Sequence, residues 1–562
     1  MRPFPTSRMI SHVTFRKALG GIVMALAFCA LPAIAGPKVD CNKGQKIGAV
    51  VNGAGATILV VVTGICTENV VITRDDVTIT TDGINPTTIQ ALDPSQPTIL
   101  LDGAHRITID GLTGVGFHIG GGTSGISASR GSTLDLSNCT VSGNSQNAVI
   151  ASYGSTVSID NCTVGPNTGN GVVAANTASL VITNSTVSGN TGQGILASRS
   201  SHIRVGQDRE GTTTVKPVTV SGNGGSGIVI TESSSGNVVG GIVETSGSEN
   251  IFVGRGSSGQ IGLGSNNLTG GVTIQSGSSH GIHVEGGNAT IVFSTITLNA
   301  VNGIIVNNGG SARIGILNNP AYGPTTVSNN GQVGVHAGTG GHAFIGGTTI
   351  IGNGTAAGEV FGGFGISVAL AASVDLAGNN VISNNRETGI FVTRNGTALV
   401  GDPSFGLTTT NTISGNGSVG PNNGGVQAFL GGIITLQNAT ISNNTGAAVQ
   451  AFDASAIELK GSTAVSVPGA GTTPGAFVQR SSTLILRDTA SIVSATSDGI
   501  QASDLTSIRI RDANTVQGNG PTSVGIQCFN SLPMAASAVA LNGNTANVTG
   551  TSGSNVGCNI FP

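Results

Sequence analysis

Asp102, His105, Arg106, Asp110 and His118 form the densest group of ionisable side chains in the sequence. Two carboxylates, two imidazoles and a guanidinium would suit acid–base work. Such a pair needs both groups within hydrogen-bond reach of one substrate. The five residues fall on two or three adjacent strand-and-turn segments. They either converge there or serve as turn residues and solvated strand faces, and the second outcome is the expected one. His280, His283 and His336 are a second group. Gly281-Ile-His283 and Gly334-Val-His336 place two of the rings at the same position of a repeat, with Ile305 between them. That would separate the rings by about 10 Å, two strand spacings. One metal ion binds its ligands at about 2 Å, and His280 with His283 supplies only two. Outward-facing histidines with no metal and no cofactor are expected.

Cys41, Cys66, Cys139, Cys162, Cys528 and Cys558 follow an N-terminal segment that carries Cys29. Their even number suits disulfides in an oxidising compartment. The expected structural pairs are Cys41 with Cys66 and Cys528 with Cys558, one near each end. Cys139 and Cys162 occupy identical repeat positions, about 4.8 Å apart if the repeats stack. They would be either a bonded pair or a buried thiol ladder.

The first 35 residues read as a secretory signal. Arg2, Arg8, Arg16 and Lys17 precede the apolar Leu19–Leu31 run, and Ala33-Ile34-Ala35 is a small-residue cleavage site. The apolar run is short for a membrane span, and Gly, Ser, Thr and Asn interrupt every later one. The remaining 36–562 would be exported, with no transmembrane segment after cleavage, to the periplasm or the extracellular space. Cleavage takes the net charge from −3 to −7. Basic patches are absent and aromatics make up 3% of the chain, which argues against nucleic acid as a partner.

Positioning comes from a repeat. Leu134-Asp-Leu-Ser-Asn-Cys-Thr-Val-Ser-Gly-Asn144 matches Val157-Ser-Ile-Asp-Asn-Cys-Thr-Val-Gly-Pro-Asn167 and Leu180-Val-Ile-Thr-Asn-Ser-Thr-Val-Ser-Gly-Asn190. Asn138, Asn161 and Asn184 recur every 23 residues, as do Asn144, Asn167 and Asn190. Gly-Ile or a near variant follows each, from Gly171-Val172 to Gly525-Ile526. Alternation within the repeat is that of strands. Three short strands per period, divided by Gly, Asn and Ser turns, describe one triangular coil. About 18 coils would stack as a right-handed solenoid, all-β, with each strand pairing in parallel with its equivalent one repeat later. Asn suits the corners because it tolerates left-handed backbone angles and hydrogen-bonds along a stack. Longer coils carry loops at Gly206–Lys216, Leu317–Pro324 and Asp402–Thr409.

From about Val60 to Asn544 the chain resembles the right-handed parallel β-helix repeat proteins of the pectin-lyase-like superfamily. Gly64-Ile-Cys-Thr-Glu-Asn-Val-Val-Ile, Asp76-Val-Thr-Ile and Ile107-Thr-Ile-Asp-Gly-Leu are similar to the opening coils of that group. The resemblance implies the fold but leaves function open, since such proteins include lyases, hydrolases, epimerases and non-catalytic adhesins. Polygalacturonases of this kind use Gly-His-Gly and Arg-Ile-Lys. Here Ser279-His280-Gly281, Arg313-Ile-Gly315 and Arg509-Ile-Arg511 stand instead, and Asp75-Asp76 is the only Asp pair. Alginate epimerases of this kind carry Asp-Pro-His, where this chain has Asp93-Pro94-Ser95 and Asp402-Pro403-Ser404. Pectate lyases need clustered carboxylates for calcium, whereas Asp135, Ser158 and Val181 share one column. No catalytic residue is assigned.

Two features bear on partners. Trp is absent and Tyr occurs only at 153 and 322, so a sugar-binding cleft would depend on Phe and polar groups. The position after each Gly-Ile marker should face outward. It reads Ser127, Ile150, Val173, Leu196, Val229, Phe252, His283, Ile305, His336, Ser367 and Phe391, then Gln427, Gln450, Gln479, Gln501 and Gln527. A bare apolar strip of this kind is usually covered or used. It would pack under a corner loop such as Gly206–Lys216, against a partner, or against a second copy. The expected role is structural, adhesive or ligand-binding at the cell surface or outside the cell, with a polysaccharide or another surface protein as partner, or self-association through the strip. The alternatives are a polysaccharide lyase, hydrolase or epimerase with a non-standard site, and a periplasmic metal-delivery protein.

Overall fold

A computed structural model describes residues 37–53, 59–210, 213–315, 324–356, 362–401, 410–419, 423–467, 473–512, 514–519, 523, 525–529, 547–548, 551–552 and 558–561. The strands fall into three parallel sheets of 20, 19 and 19 members. One coil runs from Ile126–Ser129 in the third sheet, through Thr133–Ser137 in the first, to Cys139–Val141 in the second. The next coil repeats the path 23 residues on, with Leu134 beside Val157, and Val157 beside Leu180. The result is a right-handed parallel β-helix of about 18 coils.

Alternation decides what lies inside. Leu134, Leu136, Val157, Ile159, Leu180 and Ile182 are at most 1% exposed and stack as aliphatic columns. A parallel ladder places like beside like at each step. Each column therefore buries branched side chains continuously, which stabilises the stack by roughly 25 cal/mol per Å² of apolar area covered.

The two asparagine series do different work. Asn138, Asn161 and Asn184 turn the chain from the first sheet to the second with φ of 55°, 52° and 48°. This left-handed region is one that Asn tolerates better than most residues. Asn144, Asn167, Asn190 and Asn223 are instead almost wholly buried. The Nδ2 of each of the first three donates to the Oδ1 one coil further on, at 2.8–2.9 Å. The ladder resumes at Asn299 and runs through Asn330, Asn353, Asn385 and Asn416 to Asn444.

At the N-terminal end Lys38–Asp40 pairs with the Leu59–Thr63 strand, and the short helix Ile47–Val51 buries Ile47 and Val51. The buried Glu68 carboxylate accepts from the Ile47 and Gly48 N–H groups at 2.6 and 3.1 Å. Its charge meets the positive helix end. The Cys41–Cys66 disulfide, with Cα atoms 5.0 Å apart, ties this cap to the second sheet. At the far end, segments 547–548, 551–552 and 558–561 extend the three sheets by one coil. Cys528 is disulfide-bonded there, and the Cys558 side chain lies outside the described residues. Cys139 and Cys162 stack as free, buried thiols, with the Cys139 N–H directed at Cys162 Sγ at 3.4 Å.

Candidate ligand-binding face

The acidic and basic group at 102–118 does not converge. Asp102 ends a strand of the third sheet, Asp110 ends one of the first, and His118 lies in one of the second. Three sheets of one coil face in three directions, so sequence proximity separates these side chains. Asp102 pairs with Arg130 at 3.0 Å, and Arg106 with Asp76 at 2.5 Å. Asp110 accepts from the Leu112 N–H and from Asn138 Nδ2. His118 meets Ser142 Oγ at 2.9 Å. They are turn residues and solvated strand faces, as expected. A cavity of about 240 Å³ at the corner of the first and second sheets, lined by Leu112, Val115, Asn138 and Thr140 over Cys139, includes none of them.

The outward column of the third sheet is continuous. Ser127 pairs with Ile150, then come Val173, Leu196, Val229, Phe252, His283, Ile305, His336, Ser367, Phe391, Gln427 and Gln450 in unbroken register. The marker residues beside them, such as Ile195 and Ile228, are 0% exposed. The column therefore points out, yet each of these side chains is buried or half-buried. Two expectations need correction. Phe477, not Gln479, stands between Gln450 and Gln501. Gln479 follows two residues later on the same side, because the ladder pairs Ala476 and Val478 with the buried Val449 and Ala451. The described residues of the Gly206–Lys216 loop lie against the first sheet and not over the strip. Its Arg209 reaches Asp135 of the first sheet at 3.4 Å, and Arg204 of that sheet donates to the Asp208 and Arg209 carbonyls. Of the other two loops, Asp402–Thr409 and most of Leu317–Pro324 fall outside the described residues.

Several of the few aromatics gather on this face. Phe364 stacks on Phe391 with centroids 4.6 Å apart, and Phe477 meets Phe452 edge-on at 5.6 Å. Phe252 meets His283 edge-on at 5.2 Å. Composition hid this concentration, which only the column register could disclose.

A polar rail borders the apolar floor. Asn170 donates to Asn147 Oδ1 at 3.0 Å, the Gln193 N–H to Asn170 Oδ1 at 2.7 Å, and the Ser226 N–H to Gln193 Oε1 at 2.5 Å. Ser226 Oγ then donates to Glu249 Oε2 at 3.0 Å. The rail continues with His280, whose Nδ1 accepts from the Asn302 N–H, and with Asn302 Oδ1, which accepts from the Val333 N–H.

At its middle lies the ionisable cluster that sequence reading only half saw. Glu249 Oε1 is 3.4 Å from His283 Nδ1, and Asn307 Oδ1 is 3.1 Å from His283 Nε2. An acceptor at each ring nitrogen favours the protonated form of His283. Burial opposes its charge, but Glu249 and Asn307 outweigh that and raise its pKa. The same contact, aided by Ser248 and Ser226, brings Glu249 down to about 2. His280, whose ring centre is 5.6 Å from that of His283, is lowered to about 4 by burial and by its charged neighbour. It stays neutral, and the amide at Nδ1 leaves the proton on Nε2. His336 is also lowered by burial, and its buried Nδ1 has no hydrogen-bond partner among the described residues.

Glu249 escaped notice because its coil breaks the repeat. Asn250 takes the place of the marker glycine, and no ladder asparagine stands between Asn223 and Asn299. Asn250 Nδ2 fills that gap by donating to Asn299 Oδ1 at 2.8 Å. No three of these side chains hold their ligand atoms close enough for a preformed metal site. Among the described residues only Cys41, Cys66 and Glu68 cluster that tightly, and there the two cysteines are already joined to each other.

No curated protein matches the chain. Among solved structures it is similar to the A-module of the Azotobacter vinelandii mannuronan C-5 epimerase AlgE6, at 13% identity and a TM-score of 0.21, over 86% of this chain and 93% of that one. The A-module of AlgE4 from the same organism is similar at 14% identity and a TM-score of 0.21, over 88% and 97%. The family described as the right handed beta helix region matches residues 63–242 and 360–509. With more than half of its length so matched and its strands stacked in three parallel sheets, the chain belongs to the right-handed β-helix family.

Proposed function

We propose that the protein is an exported ligand-binding β-helix that holds an extended glycan chain along the outward face of its third sheet. The observation that carries this reading is the pairing of a largely apolar, half-buried column over seven coils with a polar rail bonded from Asn147 to Glu249 and again from His280 to Val333. A pyranose ring has an apolar face and polar edges, and a long site with convergent polar groups suits such a ligand. Export rests on the N-terminal charged, apolar and small-residue succession. The test is a glycan and polyuronate array probed with the purified protein and with Leu196→Asp. Retention by the first, weakened at least tenfold in the second at unchanged melting temperature, supports the reading. Self-association lost in Leu196→Asp, with no glycan retained, would make the face a contact between copies instead.

A second reading has one observation in its favour. The pKa values of two neighbouring imidazoles, His280 and His283, are pushed in opposite directions, an arrangement common where acid–base chemistry occurs. Release of shortened or modified glycan by the protein, abolished in His280→Gln, would establish that chemistry.

A further inference from the structure

We infer that the stretch of this face between Asn147 and Asn307 selects neutral glycans over polyuronates, an inference that rests on the ligand-binding reading above. The rail offers donors with no internal acceptor. Among the described residues, Gln193 Nε2, His280 Nε2 and Asn302 Nδ2 donate to nothing, since each residue uses its other polar atom within the rail. His280 and Asn302 stand on successive coils, about 4.8 Å apart, and Gln193 stands three coils earlier, about 14 Å from His280, so one extended chain would meet them in turn. They are neutral amide and imidazole N–H groups, suited to hydroxyl and ring oxygens. Leu196, Val229 and Phe252 beneath them suit the carbon face of a sugar.

The charges nearby leave no surplus for an anionic polymer once Arg199, Arg255 and His283 are set against Glu232, Glu249 and Glu285. His283 is matched by Glu249 across 3.4 Å. At the corner, Glu232 lies between Arg199 at 3.7 Å and Arg255 at 3.5 Å. Glu285, next but one to His283, adds a carboxylate on the ligand side. A polyuronate carries a carboxylate on each sugar and needs an unengaged cation or metal to replace its hydration. Here it would meet paired cations and a facing carboxylate, so discrimination comes partly from repulsion.

The full chain without its first 35 residues would be run in affinity gels cast with soluble glucan, mannan or galactan, and in gels with polygalacturonate or alginate. The same gels would be run with Leu196→Asp and with Glu285→Gln. The expected result is retardation by at least one neutral polysaccharide and none by either polyuronate, with Leu196→Asp at least tenfold weaker. Retardation by polyuronates alone, lost in Leu196→Asp, would overturn the neutral preference and leave the ligand-binding reading standing. Retardation in no gel would overturn both. If Glu285→Gln gains polyuronate binding while keeping neutral binding, the repulsive part of the argument is supported. If it gains none, that part fails.

Discussion

Glu249 Oε1 lies 3.4 Å from Nδ1 of His283, one coil further along the solenoid, and the two side chains are only 19% and 15% exposed. They form a carboxylate–imidazole pair on a face built mostly of apolar and amide groups. Removing one partner strands the other's charge in a half-buried place. Glu249→Gln should cost about 1–3 kcal/mol of stability. It should also lower the His283 pKa, because burial then acts without the opposing carboxylate. Denaturant unfolding and an NMR titration of the His283 ring would measure the two effects.

His280 gives the protein an acid-sensitive stretch. Its folded pKa is lowered to about 4 from an ordinary value of 6.5. The unfolded chain therefore binds a proton between those values that the folded chain does not. Stability falls as pH drops from about 6.5 to 4, and this contribution changes no further below 4. His336 shifts in the same direction. Melting temperature against pH should have a shallower slope over that window in His280→Gln.

Inward and outward neighbours on one strand should respond differently. Ile195 is 0% exposed, and Ile195→Ala should cost about 2–5 kcal/mol through lost burial and a cavity. Leu196 points the other way and is only half-buried. Leu196→Ala should fall at the low end of core truncations, near 1 kcal/mol. Urea midpoints of the two variants, compared at equal slope, would check the direction of the column.

The buried asparagine ladder should be intolerant in its middle. Asn353 donates to Asn385 Oδ1 and accepts from Asn330 Nδ2, both at 2.9 Å. Asn353→Ala leaves the Asn330 N–H without its acceptor away from water, at about 1–3 kcal/mol. Asn161, exposed at a left-handed corner, should cost about 1–2 kcal/mol on change to Ala and less on change to Gly. The same unfolding measurements would rank the three.

The N-terminal cap depends on its disulfide. Cys41→Ser opens the bond to Cys66 and should cost about 2–4 kcal/mol. The loss should be local, so hydrogen exchange would rise first in Ile47–Val51 and in the Lys38–Asp40 strand. Cys139, 3% exposed, with burial raising its pKa well above the ordinary thiol value, should resist alkylation until the coils unfold.

The sequence alone determined the fold. A 23-residue period with two asparagine series and alternating aliphatic positions admits few arrangements. A parallel stack sets each residue beside its own repeat equivalent, so Leu134, Val157 and Leu180 had to share a column. The outward strip was legible for the same reason, apart from the coil in which Phe477 replaces Gln479. What the sequence did not determine is which side chains meet across coils of unequal length. Asp102, Asp110 and His118 are close along the chain and face three directions, because each triangular coil turns twice between them. Glu249 and His283 are 34 residues apart and touch, because the stack brings successive coils together whatever lies between. Side-chain contact along a solenoid follows the coil rise rather than the chain, so only the tertiary structure joined that pair and placed His280 beside it.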